Sequence, residues 1–327
     1  METDDDGCRG LPHRSGRSHH SDPVRVMGVR RIVGRGRDRV RGAYRKARTA
    51  ASRVDLPGPL RLTVLNRVLL SRVGGGTGPV VSLTTYGMRT AWSHLAIESI
   101  ARGSLRPSRL ILWLDEPETF ARPPAALRRL RRRGLEIRLA ENFGPHTKYY
   151  PYLESTDAIA HPLVTADDDT IYPRWWLERL VSEHERTPDQ VVCYRAREIE
   201  VTGEELAPYA TWEFSERAEP SFLTFPTAVS GIIHSPAFLR ILQKRGRDFR
   251  ETAAAADDVW IHHTAVRHGV PIRLVDGVSR TFPLIDETQE VALWYDNLTG
   301  GGNDQQIAAT YSAEDIAKIV AQAASAR

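Results

Sequence analysis

Cysteine is nearly missing from this 327-residue chain, which has two, Cys8 and Cys193. One falls in a polar N-terminal stretch and the other in an apolar run, so no disulfide framework is expected and a reducing compartment suits the chain. No paired Cys accompanies His262, His263 and His268, and the spacing of these histidines fits no zinc-ligand pattern, so packing or surface roles are expected for them. Long apolar runs are missing too. No window approaches the roughly 18 unbroken apolar residues of a membrane-spanning helix. The opening residues, Met1-Glu2-Thr3-Asp4-Asp5-Asp6, lack the basic and then apolar order of a secretory signal. A cytoplasmic protein is therefore expected. Acidic residues are sparse in one region, where only Asp38 and Asp55 oppose the basic run from Arg25 to Arg53. That run reads either as a solvated tail or as a peripheral contact with an anionic membrane face. Its single aromatic, Tyr44, offers little for base stacking, and nucleic-acid binding is not expected.

What is present is enough for a real core, with 41% of residues hydrophobic and seven Trp and ten Tyr. Residues 1–55 read as a low-order basic tail, and residues 56–78 as a helix (Leu56 to Val73) followed by a Gly-rich linker. From residue 79 onward, apolar strand-like runs alternate with helical spacing. Val80-Val81-Ser82-Leu83-Thr84, Leu110-Ile111-Leu112-Trp113-Leu114, Leu135 to Leu139, Leu163-Val164-Thr165-Ala166, Val191 to Tyr194 and Pro271 to Val275 read as strands. Trp92 to Ala101, Pro124 to Arg133, Leu153 to Ala160, Trp175 to His184, Pro236 to Lys244, Asp257 to His268 and Ala313 to Arg327 read as helices. This alternation predicts an α/β fold with a mixed, mostly parallel sheet flanked by helices. Residues 79–327 form one domain on this reading, with a donor half over about 79–170 and an acceptor half over about 171–300. Ser221 to Ser230 reads as a lining loop, and Leu298 to Gln306 as a polar mobile segment.

The densest chemistry is Asp167-Asp168-Asp169, directly after an apolar run. Acids at the carboxyl end of a strand lie where open α/β sheets bind ligands. Residues two apart on a strand share a side, so Asp167 and Asp169 can face one hard cation such as Mg²⁺ or Mn²⁺ together with substrate phosphates. The other reading of the triplet is an acidic surface turn. Thr84, Thr85 and Tyr86 follow the first strand, where hydroxyls and a ring can meet a nucleotide or simply close a turn. Asp115 ends the second strand and can take ribose or base groups, or serve as a turn residue. Gly144-Pro145-His146-Thr147-Lys148 is a rigid turn ending in an ammonium that can neutralise a diphosphate. Asp257 and Asp258 open a helix. Capping explains one of them, while the spacing of Asp258 with Ile261 and Ala265 puts it on the core-side stripe, where it can act as a general base. Gly231 reads either as a strand bend or as a place for a sugar to approach the backbone. Trp175, Trp176, Trp212 and Phe225 are either core residues or sugar-stacking walls.

Taken in order, Ser82 to Tyr86, Leu110 to Leu114, Gly144 to Tyr150, Asp167 to Pro173, Gly231 with its flanks and Ala256 to Trp260 resemble bacterial glycosyltransferases related to glycosyltransferase family 2, which have a GT-A fold. The resemblance implies that Thr84, Tyr86 and Asp115 bind the nucleotide of a nucleoside-diphosphate sugar, with Thr85, Asp168 and Gly231 also on the donor side. It implies that Lys148 touches the diphosphate or ribose, and that Asp167 and Asp169 hold Mn²⁺ or Mg²⁺. The acidic pair ahead of the acceptor-side helix corresponds to Asp257-Asp258, with Asp258 the base of an inverting transfer to a glycan or lipid-linked acceptor. The first position of that pair is Asp rather than Glu, and no distal metal-binding His is placed. Two other classes use similar residues: a nucleotidyltransferase or phosphohydrolase, and a non-catalytic glycan-binding protein.

Overall fold

The structure is a computed structural model that describes residues 58–291 and 302–325. The basic run over residues 25–53 lies outside them. Among the described residues there are eleven strands: β1 Val80–Thr84, β2 Leu110–Leu114, β3 Glu136–Leu139, β4 Leu163–Thr165, β5 Val191–Cys193, β6 Ala196–Glu198, β7 Val201–Thr202, β8 Glu205–Leu206, β9 Thr224–Pro226, β10 Ile232–His234 and β11 Ile272–Leu274. Seven of them form one sheet in the order β11-β5-β10-β4-β1-β2-β3, flanked by helices. β1 pairs in parallel with both β2 and β4, and β10 is antiparallel to both of its neighbours. The expected mostly parallel, mixed sheet is the one observed.

Its strands are short and apolar because both faces are covered. Val80, Ile111, Trp113, Leu163, Val191, Ile232 and Ile272 pack on one side. Val81, Leu83, Leu110, Leu112, Val164, Val192 and Ile233 pack on the other. This period-two split is the strand alternation itself. The buried polar Ser82 is admitted because Trp113 Nε1 donates to its hydroxyl at 2.9 Å.

Several element boundaries differ from expectation. The first helix is Gly58–Val68, shorter than Leu56 to Val73, and the helix expected from Leu153 to Ala160 is instead Tyr150–Glu154. The expected loop Ser221 to Ser230 contains β9, which pairs with β6. Of the expected polar segment, residues 292–301 lie outside the described residues, and Gly302–Thr310 is a helix.

The chain runs outward through β1, β2 and β3, then returns to place β4 on the other side of β1. That reversal makes a crevice at the carboxyl ends of β1 and β4, the switch point where open α/β sheets take ligands.

Candidate active site

A cavity of about 600 Å³ opens at this switch point. Thr84 and Tyr86 reach it from the end of β1, Asp115 from β2, and Asp167, Asp168 and Asp169 from the turn after β4. Asn142, Thr147 and Lys148 come from the turn before the helix Tyr150–Glu154, and Asp257 and Asp258 from the start of the helix Asp257–Arg267. Residues far apart in sequence thus converge on one space. Thr85 and Gly231 are not among its lining residues. Thr85 is buried beneath the floor.

The acidic triplet is not an exposed turn, since Asp168 is only 4% exposed. The strand ends at Thr165, so strict alternation does not continue into the acids. Asp168 and Asp169 share one partner: Arg89 Nη2 lies 2.8 Å from Asp168 Oδ1 and 2.5 Å from Asp169 Oδ2. Asp167 turns the other way. Its Oδ2 accepts the Ser230 N–H at 3.1 Å, and its Oδ1 lies 3.4 Å from Lys148 Nζ. Burial raises the Asp168 carboxyl to about 6, with Arg89 opposing and Asp169 adding to the shift. Burial also raises Asp167, against the pull of Lys148.

Lys148 lines the cavity and also has partners that its sequence context does not show. Its ammonium has three N–H donors. The ammonium donates to Asp167 Oδ1 at 3.4 Å and to the Ala228 carbonyl at 3.2 Å, and is ion-paired with Asp257 Oδ2 at 3.3 Å. Burial alone would lower its pKa, but the two carboxylates outweigh burial and raise it. Lys148 therefore stays charged and ties the turn after β4 to the start of the helix Asp257–Arg267.

Asp257 and Asp258 are not caps. The cap position is Ala256, whose side chain makes no capping bond, and both acids sit buried in the first turn. Asp258 Oδ1 accepts the Val259 N–H at 2.9 Å. Burial, and next the charge of Asp257, push the Asp258 carboxyl up to about 7. A carboxyl at that value in a cavity wall has the acid–base range of a catalytic base near neutral pH.

The segment that serves Asp167 and Lys148 is strained. Ala228 and Ser230 have φ of 50° and 71°, and Gly231 has φ of 110°. Non-glycine residues in this region cost ~1–3 kcal/mol each and gather at functional sites. Gly231 is required by packing rather than by a sugar, because a Cβ there would lie 2.7 Å from Trp176 Cζ2. Trp176, Trp212 and Phe225 are core residues, and Trp175 packs edge-on against Tyr194 and Phe282. None of the four is among the lining residues.

Among the lining residues that escaped the sequence reading are three arginines, Arg89, Arg195 and Arg197. Arg89 sits in a 3₁₀ turn, Gly87–Ala91, and its guanidinium lies 5.7 Å from the Tyr86 ring centroid. No local pattern marks it as a partner of acids about eighty residues later. Arg195 and Arg197 did carry a signal, since an Arg-Ala-Arg step in a strand sends both cations to one side. Asp115 Oδ1 is buried without a partner, which leaves an acceptor for a ligand hydroxyl or amine.

Among the described residues, no group of three or more His, Cys, Asp or Glu side chains forms a ready metal cage. The donor chemistry still fits a divalent ion. Mg²⁺ is commonly held by one or two carboxylates plus substrate phosphates, and Asp167 and Asp169 supply hard oxygens at the cavity wall.

No protein-family model and no curated protein matches the chain. Among solved structures it is similar to S. aureus TarS 1-349, at 13% identity and a TM-score of 0.42, over 62% of this chain and 58% of that one. The complex of TarS 1-349 with UDP gives the same values. CMP:2-keto-3-deoxy-manno-octonic acid synthetase complexed with CTP is similar at 11% identity and a TM-score of 0.41, over 64% of this chain and 92% of that one. The chain thus spans 58% of the TarS chain. At these scores the likeness is only a coarse one of strands and helices, and the chemistry has to be read from the cavity.

Proposed function

We propose that this protein is a metal-dependent, inverting glycosyltransferase that moves a sugar from a nucleoside-diphosphate sugar to a hydroxyl of a glycan or lipid-linked acceptor. One observation carries the reading. Asp258, with its carboxyl near 7, lines the same cavity as the triplet Asp167 to Asp169 at the β1/β4 switch point. The nucleoside would lie over β1 and β2, where Thr84, Tyr86 and the unpartnered Asp115 Oδ1 offer a hydroxyl, a ring and an acceptor. Asp167 and Asp169 would hold Mn²⁺ or Mg²⁺. When bound, such an ion offsets charge on the leaving diphosphate, a contribution of several kcal/mol in enzymes of this kind. Asp168 would act on the donor side through its pairing with Arg89.

In the transfer, the acceptor oxygen bonds to the anomeric carbon as Asp258 removes its proton. The anomeric carbon–oxygen bond to the diphosphate breaks, and the nucleoside diphosphate leaves with the electron pair. Attack opposite the leaving group inverts the anomeric centre. Lys148 holds Asp257 and so fixes the start of the helix that presents Asp258. Lys148 is a positioning residue on this reading.

The test is incubation with a panel of nucleoside-diphosphate sugars, with and without Mn²⁺. Metal-stimulated release of a nucleoside diphosphate is the expected outcome, and Asp169→Asn should remove the metal stimulation. Release of pyrophosphate or a nucleoside monophosphate would assign the same carboxylates to nucleotidyl transfer or phosphate hydrolysis instead.

A further inference from the structure

Two cations in the cavity wall have no part in the scheme above. Arg195 follows β5 and Arg197 lies in β6, with the buried Ala196 between them. Each guanidinium has five N–H donors. Arg195 Nη1 donates to Thr227 Oγ1 at 3.3 Å, and Arg195 Nε is buried with no partner. Arg197 Nη1 donates to the Trp212 carbonyl. Among the described residues, the cations that form ion pairs in this cavity are Arg89 and Lys148, and neither Arg195 nor Arg197 pairs with a carboxylate.

Their surroundings are aromatic and amide. The Arg195 guanidinium lies 4.7 Å from the Phe214 ring centroid, and that of Arg197 lies 5.1 Å from Tyr209. Tyr209 and Asn303 line the same end of the cavity, and Asn303 Oδ1 is buried without a partner. Burial lowers the Arg195 pKa, and the charge of Arg197 also acts to lower it. Two like charges held together with no carboxylate in ion-pair contact favour an anion between them.

The sheet order locates that anion. β5 lies two places from β4, across β10 and away from β1 and β2. Neighbouring strands are ~4.8 Å apart, so the arginines emerge roughly 10 Å along the sheet edge from the acidic turn. Asp167 and Asp258 both act electrostatically on Arg195, and Asp258 also acts on Tyr209, whose ring lies beside Arg197. The pair thus reaches from the acidic turn toward the base.

We propose that Arg195 and Arg197 form an anion subsite, and that the acceptor carries a phosphate or carboxylate close to the hydroxyl that is glycosylated. The word acceptor rests on the transferase reading, whereas the anion subsite itself does not. The test titrates the full chain by calorimetry with glycerol 3-phosphate, with glycerol, and with a panel of nucleoside diphosphates in the presence of Mn²⁺. Glycerol 3-phosphate should bind and glycerol should not. Arg195→Gln and Arg197→Gln should each weaken the phosphate at least tenfold at an unchanged melting temperature, and Arg→Lys at either position should retain most of the binding. The nucleoside diphosphate affinity should be the same in all variants. Loss of nucleoside diphosphate binding in the Gln variants would overturn the proposal and give the pair to the donor phosphates. Glycerol 3-phosphate binding that ignores all four substitutions would overturn it as well. Anion binding at the pair without turnover of any nucleotide sugar would support the subsite while removing the transferase reading.

Discussion

Two buried charge clusters in this molecule use the same chemistry in opposite ways. Behind the sheet, fully buried Glu98 meets Arg133 through both carboxylate oxygens and also accepts from Asn66 Nδ2 at 3.1 Å. Arg133 Nε donates to the Ser71 carbonyl at 2.8 Å, and Arg129 Nε donates to Asn66 Oδ1 at 2.8 Å. One acid faces one base there, and the remaining polar atoms are met by neighbours. In the cavity, Arg89 and Lys148 are shared among Asp167, Asp168, Asp169 and Asp257, while Asp258 has no cation of its own. The first cluster is complete without a ligand and the second is not. Burial itself does not mark a functional site, but an excess of one charge within it does.

That contrast can be broken by substitution. The largest effect is expected for Asp258→Asn, which should lower turnover by ~10²–10⁴-fold, the usual worth of a general base. Its nucleoside diphosphate affinity should be unchanged, and loss of that affinity would remove Asp258 from the role of base. Next is Glu98→Ala, which strands Arg133 and should destabilise the fold by ~3–5 kcal/mol in denaturant titrations. Activity per folded molecule should survive this change; specific loss of catalysis would erase the distinction between the clusters.

The pH dependence separates the two further. The base must be ionised, so kcat/KM should rise about tenfold per pH unit below the Asp258 value near 7 and level off above it. In Asp258→Asn this limb should vanish from the residual rate. Stability should move the other way. The folded Asp258 carboxyl lies well above the ordinary aspartate value of 3.8, so its contribution to stability is full below about 4 and is lost as pH rises through about 7. Asp258→Asn should therefore raise the melting temperature at pH 8, by the equivalent of ~1–3 kcal/mol, and have less effect at pH 5. The smallest change concerns Gly231→Ala. It should destabilise by ~1–3 kcal/mol through the Trp176 contact and the strained backbone, and leave nucleoside diphosphate affinity intact. A selective loss of donor binding would return Gly231 to the cavity.

Much of the frame is legible in the sequence, because β1, β2 and β4 are apolar runs that must be buried on both faces. β10 is harder to see: it has three residues, and its antiparallel place between β4 and β5 is set by the tertiary fold. The residues of the acidic triplet, Tyr86, Asp115 and the pair Asp257-Asp258 could be named because acids at strand and helix ends leave a local mark. Arg89 leaves none, since its meaning depends on a contact across about eighty residues. Lys148 was visible as a residue but not as a bridge, because its sequence position gives no hint of Asp257, more than a hundred residues away. Gly231 could be singled out, but only the Trp176 ring explains it.

The Lys148 bridge has an architectural consequence. Because one ammonium is hydrogen-bonded to the acidic turn and the strained segment and ion-paired to the start of the helix Asp257–Arg267, a single side chain spans the two acidic walls of the cavity. Loops between those anchors can change length without moving Asp257 away from Asp167, so long as that lysine stays in place.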